Sequence, residues 1–362
     1  MSIPTSIRSL TVARLDIPLH VPFGISGGAQ AMANNVLVTL ELADGTRGYG
    51  EAAPLPPYNG ETQAMALAAL DGARAWLPGR DAAEWRTLAT EFFGKGGAGC
   101  GSAQCALEMA LLDAVTKRRG EPLWKFFGGA SASLETDMTV TTGTVAEAAD
   151  AARAIRARGI RMIKVKVGGA AGPAGDLARV AAIHGAAPGS PLILDGNAGM
   201  SRAAASELVR GLKGAGITPA LLEQWLAKDD LAGAAALAVE SGWKLAADET
   251  ACTAADARRI AAVGAAHYVN IKLMKSGVVA AWELAVAARA AGLGLMIGGN
   301  VESMLAMSVS ACFAAGLGGF EFADLDTPLF MATNPFDGGF ALEGGMISVA
   351  NIAAGHGVTP KT

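Results

Sequence analysis

The amino-acid sequence predicts an α/β protein, a (β/α)7β TIM-like barrel joined to a smaller α+β domain. Three observations carry that prediction. The first third of the chain reads as strands followed by helices, a grouping that marks a separate α+β unit. From Leu134 onward, short apolar runs alternate with helical stretches, as a parallel sheet requires. Each run ends on a polar residue, and these polar residues recur at the length of one βα unit.

The 362 residues leave room for one large barrel and a smaller domain, divided as residues 1–131, 132–327 and 328–362. In the first segment Ile7 to Leu19, Asn35 to Leu42 and Thr46 to Glu51 are strand-like, with Asp44-Gly45 as a hairpin signal. Residues 61–76, 81–92, 102–119 and 122–127 read as helices. The barrel strands are expected at 136–140, 162–167, 192–194, 220–222, 244–247, 268–271, 293–297 and 320–323. Thr144 with Glu147 forms a capping box, Thr253 with Asp256 a looser one, and Ser201 and Ser276 are expected as N-caps. Residues after Asp326 make no further repeat and are expected to return to the first domain.

Composition narrows the function. Hydrophobic residues make up 51% and charged residues 17%, which argues for a packed core and against disorder. The net charge of −4 with scattered Lys and Arg gives no footprint for nucleic acid. Cys100, Cys105, Cys252 and Cys312 form no C-x-x-C pair, so reduced thiols are expected rather than a zinc ribbon or disulfide framework. The N-terminus lacks a signal-peptide pattern. The uncharged stretch from Ser303 to Phe320 carries serines and glycines that suit a buried helix and turn better than a membrane span. A cytoplasmic protein acting on a small molecule is the expectation, with a homo-oligomer compatible but not fixed by the sequence.

The strand-end residues are Thr139, Lys164 and Lys166, Asp195 and Asn197, Glu223, Asp248 and Glu249, Lys272, Asn300, and Asp324 with Asp326. From Lys166 to Asp324 successive strand ends are 24 to 29 residues apart, so their side chains should gather at the C-terminal mouth of the barrel. Asp195, Glu223 and Asp248 end three consecutive strands. Any one acid alone reads equally well as a helix cap or surface charge, but three converging carboxylates repel unless a cation intervenes. A hard divalent ion with oxygen ligands resolves this, and Mg²⁺ is the default choice. Lys166 and Lys272 lie four strands apart and should face each other across the barrel axis. Val165 separates Lys164 from Lys166, so both lysines point inward. Two lysines on opposite sides of a metal-bound carboxylate can take and return a proton from either face, and a nearby cation with partial burial favours the neutral amine.

The segments KVKVGG (164–169), LILDGN (192–197), LLEQ (221–224), ADE (247–249) and NIKLMKSG (270–277) resemble the enolase superfamily, in its muconate-lactonizing-enzyme-like branch. The resemblance covers nearly the whole chain and implies an α+β capping domain, built from the N-terminal part and the C-terminal tail, over the barrel. The mandelate-racemase-like branch needs a histidine at the end of strand seven, where this chain has Gly298-Gly299-Asn300. Asp324-Leu-Asp326 resembles the D-x-D of dipeptide epimerases, whose substrates present an ammonium group. The sequence departs from the family pattern at Gly199, Trp225 and Asn300, which bears on pocket shape rather than on ligands or bases.

The resemblance implies a Mg²⁺-dependent dipeptide epimerase of the L-Ala-X type that inverts the C-terminal α-carbon through an enolate. Asp195, Glu223 and Asp248 would bind the metal, and Lys166 and Lys272 would exchange the proton. Lys164 would stabilise the enolate, Asp324 and Asp326 would hold the amino terminus, and Thr139, Asn300 and Glu302 would line the site. Competing readings are an N-acylamino-acid racemase or o-succinylbenzoate synthase of the same branch, a Schiff-base lysine aldolase on a similar barrel, and a silent metal-binding relative. In this family a capping-domain loop selects the substrate side chain. Here it would run from Pro22 to Gln30, and no Lys or Arg occurs between His20 and Arg47. Ala-Glu epimerases carry an arginine in this loop, so the expectation is an uncharged, apolar X rather than Glu.

Overall fold

The computed structural model describes residues 5–25 and 28–361. Strands β1 (Ile7–Ile25), β2 (Gly28–Leu42) and β3 (Arg47–Ala52) form an antiparallel meander. Gly48 and Gly50 explain how it packs. A Cβ on either would fall within 2.1 Å of the Ala110 or Ala106 carbonyl oxygen, so β3 lies against the backbone of a helix. That helix is α4 (Gly101–Arg119), whose residues 102–116 are all buried. Its first N–H groups are capped from outside, with Gly101 N and Ser102 N donating to the buried carboxylate of Glu61. Around it lie α1 (Pro56–Asn59), α2 (Gln63–Ala73), α3 (Trp85–Phe92) and α5 (Leu123–Phe126).

The hairpin is longer than its sequence suggests. Of the expected loop at 22–30, the described residues lie in strands: β1 and β2 stay paired through Phe23↔Gln30 and Gly24↔Ala29 after a register shift beyond Pro18. Ser26 and Gly27, inside the expected loop, lie outside the described residues. The extension shows no apolar alternation because distant chain supports it. Leu19 bridges Met331, Ala332 N donates to Pro18 O, and Phe23 packs edge-on against Phe330.

After β4 (Ser133–Glu135) come eight parallel strands: β5 (Met138–Val140), β6 (Ile163–Lys166), β7 (Leu192–Asp195), β8 (Leu221–Glu223), β9 (Leu245–Ala247), β10 (Tyr268–Lys272), β11 (Gly294–Gly298) and β12 (Phe320–Ala323). They lie side by side in sequence order. The curl brings the first strand back to the last, where Asp137 N donates to Ala323 O and Leu325 N to Thr136 Oγ1. Seven helices fill the connections: α6 (Val145–Ala157), α7 (Gly172–Ala186), α8 (Arg202–Gly214), α9 (Leu231–Ser241), α10 (Ala254–Val263), α11 (Gly277–Ala290) and α12 (Met304–Leu317). Both capping boxes form and Ser201 caps α8. Ser276 does not cap α11. Glu108 of α4 accepts from Val279 N instead, so the first turn of α11 is satisfied from the N-terminal domain.

The tail contributes β13 (Phe336–Gly338), paired with β16 (Val358–Pro360), and β14 (Ala341–Glu343) with β15 (Met346–Ser348), which joins β4. It also reaches the first domain. His356 N donates to Asp113, and the buried imidazole contacts Tyr49 O at 3.0 Å. The four cysteines are free, and among the described residues no helix is long and apolar enough to cross a membrane.

Candidate active site

The barrel lumen is built in layers. Met162, Ile193, Leu221, Ala246, Tyr268, Met296 and Phe322 form an apolar floor of their own. Two residues further along each strand the side chain points inward again, one layer higher. Those positions are Lys164, Asp195, Glu223, Asp248, Asn270, Gly298 and Asp324. Each is buried wherever it carries a charge or amide. A Cβ on Gly298 would meet Asn270 at 2.8 Å, so the glycine leaves room for Asn270 to donate to Glu223 Oε1 at 2.7 Å.

Lys164 stands at the centre of this layer, with its Nζ 2.6 Å from Asp324, 2.8 Å from Glu223 and 3.0 Å from Asp195. Burial would lower its pKa, but Asp195, Asp324 and Glu223 outweigh that and hold it well above the usual lysine range. For Asp195 burial acts upward, while Lys164, Lys166 and Lys272 overcome it and keep the acid ionised. Glu223 is raised, first by burial and then by repulsion from Asp195. Asp248 falls to about 2 because Lys272 and Lys275 outweigh its burial.

Lys166 and Lys272 rise from β6 and β10, four strands apart, and both border one small cavity. Lys166 Nζ contacts Asp195 at 2.6 Å and Lys272 Nζ contacts Asp248 at 2.8 Å. The N-terminal domain roofs the cavity with Phe23, Leu55 and Tyr58. Each lysine faces one of these rings: Lys166 lies 6.0 Å from the Phe23 centroid and Lys272 lies 4.7 Å from that of Tyr58. Tyr58 also donates its hydroxyl to Asp248 Oδ1 at 3.1 Å.

Asn300 and Asp324 line the same cavity. Asn300 Nδ2 donates to Ala53 O of the N-terminal domain. Glu302 sits behind it, fully buried, and accepts from Asn300 N. Burial pushes its pKa to about 8. Thr139 lines a groove beside Pro22 and Phe330 rather than the cavity, and its N–H donates to Asp326 Oδ2 at 2.6 Å. The strand-end turns are held tightly: Asn197, Ala198 and Gln224 all adopt positive φ, and Asn197 N donates to Asp195 Oδ1. Trp225, one of the departures from the family pattern, donates to Leu194 O from its indole.

The sequence reading missed Asp137, Phe23 as a wall, Tyr58 and Lys275. Asp137 shares strand parity with Thr139, a usable signal, and Lys275 lies within the NIKLMKSG segment. Tyr58 carries no local signal.

The acids at the ends of β7, β8 and just beyond β9 suit a hard cation. Glu223 Oε2 and Asp248 Oδ2 each lie 2.8 Å from a lysine nitrogen yet accept no directed hydrogen bond. They are buried oxygens with spare coordinating capacity. A second acidic group, Asp137 with Asp324 and Asp326, adjoins them through Lys164, which pairs with Asp324 as well as with Asp195 and Glu223.

Residues 7–128 match the mandelate racemase / muconate lactonizing enzyme N-terminal domain family, and residues 146–362 match the enolase C-terminal domain-like family. An aromatic dipeptide epimerase from Herpetosiphon aurantiacus is 51% identical over 98% of this chain and 99% of its own length. A crystal structure of a mandelate racemase/muconate lactonizing protein from the same organism superposes with a TM-score of 0.96 at 50% identity, covering 100% of both chains. A dipeptide epimerase from Enterococcus faecalis, complexed with Mg and the dipeptide L-Leu-L-Tyr, superposes with a TM-score of 0.92 at 28% identity, covering 98% of this chain and 99% of its own.

Proposed function

The chain belongs to the mandelate racemase/muconate lactonizing enzyme family of the enolase superfamily and is an isomerase, and from that premise we propose that it inverts the C-terminal α-carbon of dipeptides. The observation that carries this reading is the placement of Lys166 and Lys272 on opposite strands around one cavity. Asp324 lines it as well, and Lys166 and Lys272 pair with Asp195 and Asp248 of the carboxylate triad beside it.

A zwitterionic dipeptide matches this polarity. Its carboxylate is drawn toward Lys164 and the triad, and its ammonium group toward Asp324 and Asp326. That orientation puts the C-terminal α-carbon between the two lysine nitrogens. One lysine removes the α-proton from its face and the other delivers a proton to the opposite face, which inverts the centre. Asp195, Glu223 and Asp248 would hold Mg²⁺. When bound, the ion supplies Lewis-acid stabilisation of the charge developing on the substrate carboxylate. Lys164, kept cationic by its three carboxylates, adds positive charge at the same place. Phe23, Leu55 and Tyr58 exclude water from the reacting atoms.

The apolar roof also supports a preference for an uncharged, apolar C-terminal residue. Lys166 and Lys272 are the cations lining the cavity among the described residues, and both are committed to proton transfer. The 51% identity to an enzyme described as acting on aromatic dipeptides points the same way. The experiment is a dipeptide panel incubated in D₂O with Mg²⁺ and read by mass. One deuterium should appear at the C-terminal α-carbon of apolar dipeptides, and absence of exchange across the panel would end this reading.

A further inference from the structure

The dipeptide reading leaves Asp137 without a role, although it is among the most completely buried charged groups in the lumen. It lies just before β5 with no measurable exposure, and neither carboxylate oxygen accepts a hydrogen bond from any described residue. Burial and the neighbouring Asp324 raise its pKa well above the usual carboxylate range. A buried acid without a partner destabilises a fold, so its presence calls for a partner that arrives from outside.

The geometry defines that partner. Asp137, Asp324 and Asp326 each offer an oxygen, all within 4.8 Å of one another. Three acceptors no farther apart than this share a point about 2.8 Å or less from each, the length of an N–H···O hydrogen bond. Lys164 does not fill the role: its nitrogen reaches Asp324, Glu223 and Asp195 but makes no ion pair with Asp137. Asp324 spends Oδ2 on Lys164, and Asp326 spends Oδ2 on Thr139 N–H, leaving one oxygen on each. Asp326 Oδ1 has no partner either. Asp324, the member of the group that borders the cavity between Lys166 and Lys272, links it to the place where the substrate reacts.

We propose that Asp137 is the third wall of a cradle for the substrate's ammonium group, one carboxylate for each of its three N–H bonds, so that the enzyme selects dipeptides with a primary amino terminus. This rests on the dipeptide reading and sharpens it. Two acids would accept any cationic amine. Three acids at this spacing discriminate against a secondary amine that keeps its charge but has one N–H fewer, because a buried acceptor is then left unpaired.

The test uses the full chain with Mg²⁺ and L-Ala-L-Phe as probe. With wild-type enzyme, N-methylation of the alanine should lower kcat/KM at least tenfold. In Asp137→Asn, kcat/KM for L-Ala-L-Phe should fall at least tenfold, mostly through KM, and the N-methyl penalty should shrink to threefold or less. The melting temperature without substrate should hold or rise, since a buried acid repelled by Asp324 has been replaced by a neutral amide. A lowered melting temperature with an unchanged N-methyl penalty would make Asp137 a structural acid and overturn the proposal. So would unchanged kinetics. A wild-type KM that depends on Na⁺ or K⁺ at constant ionic strength, lost in the variant, would assign the cradle to a metal ion and also overturn it. Should Asp137→Asn not fold, the wild-type N-methyl comparison decides alone, with equal turnover of both substrates refuting the cradle. Wild-type enzyme that exchanges no dipeptide α-proton refutes the dipeptide reading instead, and the cradle with it.

Discussion

Tyr58 joins the N-terminal domain to one side of the proton-transfer machinery, so removing its hydroxyl should slow one lysine and spare the other. The phenol donates to Asp248 Oδ1 at 3.1 Å, and Asp248 Oδ2 lies 2.8 Å from Lys272. Burial, with Asp248 next, raises the Tyr58 pKa well above its usual value, so the phenol is a donor at every working pH. A hydrogen bond to a charged acceptor contributes about 1.5–3 kcal/mol. This one is long, and Lys275 also donates to Oδ1 at 3.0 Å, which puts Tyr58→Phe at the low end. About 1.5 kcal/mol corresponds to roughly tenfold in rate. The ring remains in Phe, so its contact with the Lys272 ammonium is kept. Tyr58→Ala loses that as well, for about another 1 kcal/mol. The assay isolates each lysine. In a Lys166→Ala background, α-proton exchange in D₂O reports Lys272 alone, and in Lys272→Ala it reports Lys166. At saturating Mg²⁺, Tyr58→Phe should cut the first about tenfold and change the second less than about twofold. Equal losses in both backgrounds would show that the hydroxyl serves the carboxylates in common, and the one-sided coupling would be refuted.

Three further outcomes are expected. Lys166→Ala and Lys272→Ala should each abolish epimerisation while retaining exchange with opposite epimers, followed by mass shift on the separate L,L and L,D substrates; epimerisation surviving in either rejects the two-base assignment. Chelation should abolish activity and Mg²⁺ restore it, and Asp195→Asn, Glu223→Gln or Asp248→Asn should each remove most of it. The same ion, by relieving repulsion on Glu223, should stabilise the fold by about 2.7 kcal/mol at a concentration near a hundred times Kd, read as a higher melting temperature. Finally, kcat/KM for L-Ala-L-Phe and L-Ala-L-Leu should exceed that for L-Ala-L-Glu by more than tenfold, because a buried glutamate carboxylate would meet Phe23 and Leu55 without a spare cation; a tenfold advantage for the glutamate substrate refutes this.

Much of the barrel was legible because its strands are buried on both faces and each run is interrupted by a polar residue with no place in an ordinary core. Asp195, Glu223 and Lys272 announce themselves in this way, and the βα repeat puts them in one ring. Asp137 escaped because it precedes its strand instead of ending it, and only the pairing of that segment with Ala323 lifts it to the level of Asp324. Glu302 reads like a wall residue from its position, but its neighbour Asn300 takes the wall and Glu302 braces it from behind. The hairpin extension and Tyr58 were illegible for a common reason. Their conformations are decided by Met331, Phe330 and Asp248, far away in sequence, and no local pattern encodes such contacts. Ser276 shows the converse, where a good local signal is overruled by Glu108 arriving from another domain.

The return of the tail to Asp113 and Tyr49 has a consequence for the order in which this protein can be made. His356 N meets Asp113 across 243 positions and its ring meets Tyr49 across 307, so the domain of β1 to α5 lacks a structural part until the segment around His356 has been made. Until then Asp113, a buried acid that His356 and Lys117 later hold below its usual range against its burial, has Lys117 and the Tyr49 N–H but lacks the tail. The usual vectorial sequence, with the N-terminal domain finished first, does not apply to this chain. Completion of the roof and closure of the barrel are late, long-range events of high contact order, a slow route on which early domain and half-barrel wait exposed. The two domains therefore mature as one unit in time as well as in space, and the catalytic roof cannot be exchanged between relatives as a simple N-terminal cassette.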